Sequence, residues 1–311
     1  RRARLDIALI TADNKIAFRD QIPLTEEEDK VDKITSTFFN IMKPKVGDRR
    51  IMGLCIIIPG IIDAENKRIL STVIGVGYSD PVVQRFEEAF HDYPFCLLND
   101  TACFAYAEYV FANITEPNFA YINVSKGVGA CLFANGKMLR GAGGNATQFG
   151  HFSVDRNGPL CACGNHGCVE RVVGENALTE RAEACGIDLT RFAGRKPLYC
   201  DIGAMAEDGD AHAKELIKDL AVDLSFAISN LITLFNPSLV VIGGMGVNLG
   251  PFFLSNIRDE VQNSGFKEFV SNTWIQYSTL GLDSELGGAA RYYIDHYYDF
   301  FEQMQGGLYA D

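Results

Sequence analysis

The run from Gly150 to Glu170, GHFSVDRNGPLCACGNHGCVE, gathers one imidazole and three thiols: His151, Cys161, Cys163 and Cys168. One nitrogen and three sulfur ligands complete a tetrahedral zinc shell, and their spacing is that of metal ligands. A closed shell leaves no open position for a substrate, so the expected metal is structural. Gly164 and Gly167 let the chain turn tightly around it. Such a knuckle would also hold its neighbours His151 and Glu170 in fixed directions. The alternative is a set of buried, reduced cysteines with no shared role.

Bulk composition narrows the setting. The chain has 311 residues, of which 47% are hydrophobic and 22% charged, which suits two lobes with separate cores. A net charge of −12 repels phosphate backbones, so this chain is not expected to grip DNA itself. The count of 9 cysteines is odd and scattered, which argues against a disulfide framework and for a reducing cytoplasm. There is no signal peptide and no apolar run long enough to span a bilayer, so no membrane partner is expected. The chain starts in a strand without an initiator Met, as expected of a fragment.

Periodicity supplies the elements that must position these residues. Leu5 to Thr11 and Lys15 to Phe18 read as strands joined at Asp13-Asn14. Thr25 with Glu28 reads as a capping box opening a helix to Met42. Arg50 to Ile58 and Pro94 to Leu98 read as buried strands, and Pro81 to Phe90 as a helix. The second strand delivers Asn99 and Asp100 to its carboxyl end, ahead of a helix from Thr101 to Phe111. Phe119 to Val124 and Gly129 to Phe133 form a strand pair, with Asn135-Gly136 a hairpin turn. Helices are expected at Glu175 to Ala184, Ala211 to Phe235, Pro251 to Gln262 and Gly287 to Phe300, with a strand at Leu239 to Ile242. The leucine and isoleucine stripe of Ala211 to Phe235 reads as core packing. The alternation indicates an α/β fold of two related lobes. The first lobe is set at residues 1–115, with a C-terminal helix from about 290–311 packing back on it, and the second at 116–289.

CACGNHGCVE, LLND before a helix, the IIIPGIID loop and the VVIGG strand together resemble the ROK family of sugar kinases and sugar-responsive repressors. The resemblance runs from Leu5 to Tyr293. It implies an actin-like ATPase (ribonuclease H-like) fold, with a sugar cleft between the lobes and a homodimer or homotetramer. In a kinase of this family Asp100 would be the base that takes the proton of the attacking hydroxyl. Asn99, His151 and Glu170 match sugar-binding positions. Either Asn99 or Asp100 can also cap the following helix, and both roles can hold at once. Gln148 stands where the family usually has Glu. It keeps an acceptor and adds donors, so it can still bind a hydroxyl.

The phosphate-binding turns decide between kinase and regulator. The resemblance calls for Asp-x-Gly-Gly-Thr after a first strand. Here Arg1-Arg2-Ala3 stands in place of Gly-Gly-Thr, and the preceding strand is not in the sequence. Ser125-Lys126-Gly127-Val128-Gly129 stands where Gly-Thr-Gly is usual, with Gly127 and Gly129 retained. Gly243-Gly244 matches the adenosine-side turn, and is equally a tight strand-to-helix connection. The reading that follows is the effector part of a ROK repressor of carbohydrate metabolism, binding a sugar or sugar phosphate. DNA would be reached only through a helix-turn-helix domain upstream. The alternative is an ATP-dependent kinase of a hexose or N-acetylated hexose, with Mg²⁺ and ATP as cofactors and Gly127, Gly129, Gly243 and Gly244 at the nucleotide. Zinc is expected under either reading.

Overall fold

The computed structural model describes residues 4–25, 27–63, 68–72, 81–142, 146–265 and 267–298. The elements run β1 (Arg4–Ile10), β2 (Ile16–Pro23), α1 (Lys30–Thr37), α2 (Lys43–Val46), β3 (Leu54–Ile58), β4 (Gly60–Asp63), β5 (Arg68–Thr72), α3 (Val82–Ala89), β6 (Phe95–Asn99) and α4 (Asp100–Phe111). They continue with β7 (Phe119–Val124), β8 (Val128–Ala134), β9 (Lys137–Met138), α5 (Val169–Val173), α6 (Glu175–Ala184), α7 (Tyr199–Glu207) and α8 (Ala211–Phe235). The last are β10 (Leu239–Gly243), α9 (Gly250–Asn263), α10 (Lys267–Val270), β11 (Trp274–Tyr277) and α11 (Ser284–Tyr297). The chain divides into two compact units, one running to Asn113 and resuming at Asp283, the other Ile114–Gly141 with Ala146–Leu282.

In the first unit the described strands form three two-stranded sheets. β1 and β2 are antiparallel, and Asn14 takes a left-handed φ of 62° in the turn between them. β3 and β6 are parallel, with Ile56 opposite Leu97 and Ile58 opposite Asn99. Ile56, Ile58 and Leu97 are buried with Phe38, Phe86 and Phe90 in one apolar core. Helix α11 crosses α4 closely because Gly288 has no Cβ to collide with the Cys103 carbonyl.

Two expectations here need correction. The capping box is only half formed: the Glu28 carboxylate accepts from the Thr25 N–H at 2.9 Å, but α1 starts at Lys30. Asp29 caps it instead, accepting from Val31 and Asp32, and Arg85 anchors that carboxylate at 3.0 Å. The helical run also passes through a π-helical turn at Phe38–Met42 rather than continuing smoothly. The strand expected from Arg50 begins at Leu54, since Gly53 packs against the Tyr293 ring and residues 51–53 pair with no strand. Hairpin β4–β5 and elements α5, α7 and β11 lie in stretches that periodicity left unassigned. Arg1-Arg2-Ala3 and 299–311 fall outside the described residues.

The second unit has one five-stranded sheet in the order β11-β10-β7-β8-β9. β10 runs parallel to both β7 and β11, and β7 antiparallel to β8. Asn135 and Gly136 both have positive φ, as a tight hairpin turn requires. Asp210 caps α8 by accepting from Ala213, and Asn236 ends it in the left-handed region before Pro237. Leu216, Leu220, Leu224, Ile228 and Leu231 are buried, which makes the stripe core.

Candidate functional site

The residues that could do chemistry in the second unit sit on a folded knuckle. The ligand atoms of His151, Cys161, Cys163 and Cys168 all lie within 4.8 Å of one another. Cys163 Sγ is 3.6 Å from Cys168 Sγ, and Cys161 Sγ is 3.6 Å from His151 Nδ1. A tetrahedron with bonds of about 2.3 Å to sulfur has edges of about 3.8 Å, so the cluster can close on a metal ion with small shifts. His151 turns Nδ1 toward the sulfurs, which leaves its other ring nitrogen for a different partner.

Local backbone geometry explains why the four converge. Gly150 lies so close to the Val128 carbonyl that any Cβ would clash, and this seats the turn Phe149–His151 on β8. The Cys161 N–H donates to Asn165 at 2.8 Å and the Gly164 N–H returns to Cys161 at 2.9 Å. Gly167, at φ 60°, packs on the Asp155 carbonyl where a Cβ has no room. Burial raises the Cys161 thiol and pushes the Cys168 thiol up to about 12, whereas the Asn165 N–H lowers that of Cys163. A divalent cation supplies the positive charge that lets buried thiols bind as thiolates.

Cys168 is also the N-cap residue of α5, whose first turn carries Glu170. The Glu170 carboxylate stands 3.5 Å from Cys161 Sγ and 3.8 Å from His151 Nδ1. Its side chain and that of His151 keep 28% and 29% of their surface exposed, so both can be reached by a solute. Gln148 precedes His151 at the surface, and its carbonyl accepts from the His151 N–H at 3.0 Å.

In the first unit Asn99 and Asp100 stand at the carboxyl end of β6, where they were expected. Asn99 is the cap: Oδ1 accepts from Ala102 at 3.1 Å while Nδ2 donates to the Gly60 carbonyl at 2.6 Å. Asp100 opens α4 and accepts from the Thr101 N–H at 2.8 Å. Burial raises its carboxyl above the usual range. A residue that the sequence reading passed over, Glu285, shares this corner. Burial pushes it up to about 7, and the charges of Asp100, Asp6 and Asp283 add to the effect. Only its place in the first turn of a helix signalled it, and solvated carboxylates favour that place too.

The two glycine turns expected at a nucleotide are tied to each other. Ser125 Oγ donates to Asn123 Oδ1 at 3.0 Å and accepts from the Met245 N–H at 3.1 Å. Gly243 packs on the Tyr121 hydroxyl and Gly244 on Asn123 and Ser125, leaving no room for a Cβ at either. These glycines are therefore required by packing alone. Gly127 lies against Glu170, where a Cβ would sit 3.0 Å from Oε2. Lys126, in the same turn, is exposed.

The profile of the ROK family matches residues 2–295. The chain belongs to the ROK family. It is 26% identical over 250 residues to the xylose repressor of Bacillus subtilis, covering 80% of this chain and 62% of the repressor. The chain thus spans under two thirds of that relative's length. Among solved structures, a ROK transcriptional regulator homologous to the Escherichia coli MLC protein aligns with TM-score 0.78 and 25% identity, covering 93% of this chain and 74% of the other. A ROK glucokinase of Streptomyces griseus, in complex with glucose and AMPPNP, aligns with TM-score 0.75 and 22% identity over 93% of this chain and 95% of the enzyme. The fold is that of the ROK kinases and regulators, the α/β actin-like class. Within the family, fold alone does not separate the two activities. Among the described residues, no helix is long and apolar enough to cross a membrane.

Proposed function

We propose that this chain is the sugar-sensing part of a ROK transcriptional repressor. The observation that carries the sugar-binding part of the reading is the knuckle: one structural zinc on His151, Cys161, Cys163 and Cys168 would fix His151 and Glu170, both partly exposed, at its edge. Glu170 accepts sugar hydroxyls, and the free nitrogen of His151 and the Gln148 amide add further hydrogen bonds. Asn99 and Asp100 offer a second hydroxyl-binding pair on the other unit. Similarity to a xylose repressor and to a ROK regulator supports sensing over catalysis. The mutual pinning of the glycine turns through Ser125 supports it too, because the Met245 N–H is already satisfied.

A sensor must bind its effector more tightly in one conformation than in another. In a cytoplasmic homodimer the shift would change the spacing of DNA-reading domains that lie outside this chain. Calorimetric titration with a panel of pentoses, hexoses, N-acetylhexosamines and their phosphates tests the reading. One of them should bind, and Glu170→Ala should weaken it about 10- to 100-fold, as expected for hydrogen bonds to a charged acceptor. ADP release from Mg²⁺–ATP in the presence of that sugar would instead establish a kinase.

A further inference from the structure

Thr147 stands one residue before Gln148 and has a left-handed φ of 67°. Among the described residues Asn14, Asn113, Asn135, Ala193 and Asn236 also take left-handed φ without being glycine. Asparagine tolerates that region, whereas a β-branched side chain there is a steric outlier. A backbone held against its own preference needs outside contacts to keep it, and such residues gather where a ligand or a switch requires fixed geometry. Here the contacts are specific. Thr147 Oγ1 donates to the Ala130 carbonyl of β8 at 2.8 Å, and the Thr147 carbonyl accepts from the Phe149 N–H at 2.7 Å. Phe149 is buried, and Gly150 sits against the Val128 carbonyl of the same strand. The turn is therefore pinned to β8 at Thr147 and again at Gly150. Between these two pins stands Gln148, which is exposed and whose side chain does not cap the turn. The turn also borders Glu170: a Cβ on Gly150 would lie 3.7 Å from the Glu170 Cβ.

We propose that Thr147 is a positioning residue for effector recognition: its hydroxyl, bonded to Ala130, holds the left-handed turn that places Gln148 at the edge of the sugar site. The inference rests on the sensing role proposed above and adds a residue that acts through Gln148. Released from Ala130, residue 147 would return to the extended or right-handed backbone that a β-branched side chain prefers. The chain direction at Gln148 would change with it. An amide carries donors on one side and an acceptor on the other, so its hydrogen bonds to a sugar depend on orientation as well as distance. Loss of the Thr147 hydroxyl therefore acts on the sugar as loss of the Gln148 side chain does.

A double-mutant cycle tests the assignment, read by calorimetric titration of zinc-loaded protein with D-xylose, D-glucose, N-acetyl-D-glucosamine and their phosphates. For whichever of these binds the wild type most tightly, Gln148→Ala should weaken binding about 5-fold, as loss of a neutral hydrogen bond does. Thr147→Val keeps the side-chain shape without the hydroxyl and should weaken binding by a similar factor. The double variant should bind no more weakly than Gln148→Ala alone, because the two changes remove one interaction. Thr147→Ser keeps the hydroxyl and should bind like the wild type. If Thr147→Val does not fold, Thr147→Gly takes its place in the cycle, since glycine accepts the angle but lacks the bond to Ala130. Losses that multiply in the double variant would overturn the proposal and leave the sensing role standing, because Thr147 would then support the fold and not Gln148. Wild-type affinity in Thr147→Val would overturn it in the same way. Failure of every one of these sugars to bind the wild type would instead remove the sensing role, and this inference with it.

Discussion

The two units solve the same packing problem to different degrees. In the second, one five-stranded sheet is backed by α8, whose inward stripe is sealed from solvent. In the first, the described strands remain as three separate pairs beside a cavity of about 630 Å³. The second unit also concentrates its chemistry in one covalently short loop, where neighbouring residues converge on a metal-sized space. The first places its polar groups, Asp100 and Glu285, in a corner assembled from distant segments. A short metal-closed loop makes rigidity local. A corner built from distant elements is only as rigid as the sheet that carries it.

The largest effect should come from breaking the knuckle. Cys168→Ser should abolish the metal, measured as a fall from about one zinc per chain to none, and should remove sugar binding with it. Next, Leu224→Ala in α8 should cost about 2–5 kcal/mol in chemical denaturation, because Leu224 is fully buried in a closed core. Ile7→Ala, on strand β1, which lines that cavity, should cost clearly less in residues 1–311, since packing there is incomplete.

The carboxyl corner should show in the pH dependence of the first unit. Glu285 titrates near 7 when folded and near its ordinary value of 4.5 when unfolded, so the folded state holds the extra proton between those limits. Stability should therefore be full below about 4.5, fall as pH rises to about 7, and level off above it, by up to about 3 kcal/mol. Asp100, Asp6 and Asp283 oppose ionisation of Glu285 and Arg19 favours it, so Glu285→Gln should flatten that slope without reversing it. The smallest effect is expected at Ser125→Ala. It removes the bond between the two glycine turns and should cost about 1 kcal/mol, read from urea midpoints.

Much of this contrast was legible in the residues alone. The knuckle was readable because its ligands and glycines are close in sequence, so spacing maps directly onto geometry. Helix α8 was readable to the residue because Asp210, the apolar stripe and Asn236-Pro237 agree on its bounds, and α6 has its expected bounds although no side chain caps its start. The start of α1 was not, because Thr25–Glu28 and Asp29 both offer capping chemistry and only Asp29 has Arg85 to hold it. Glu285 and the Ser125 link could not be read, since each depends on contacts across more than a hundred residues of sequence. The four-residue strand β11 carries too little pattern to be distinguished from a loop.

The most direct test is calorimetric titration of the effector sugar into zinc-loaded and zinc-stripped protein in parallel. One binding event is expected in the loaded form, and none in the stripped form until zinc is restored. Equally tight binding by fully stripped protein would contradict the claim that the metal knuckle holds Glu170 and His151 in place for the sugar.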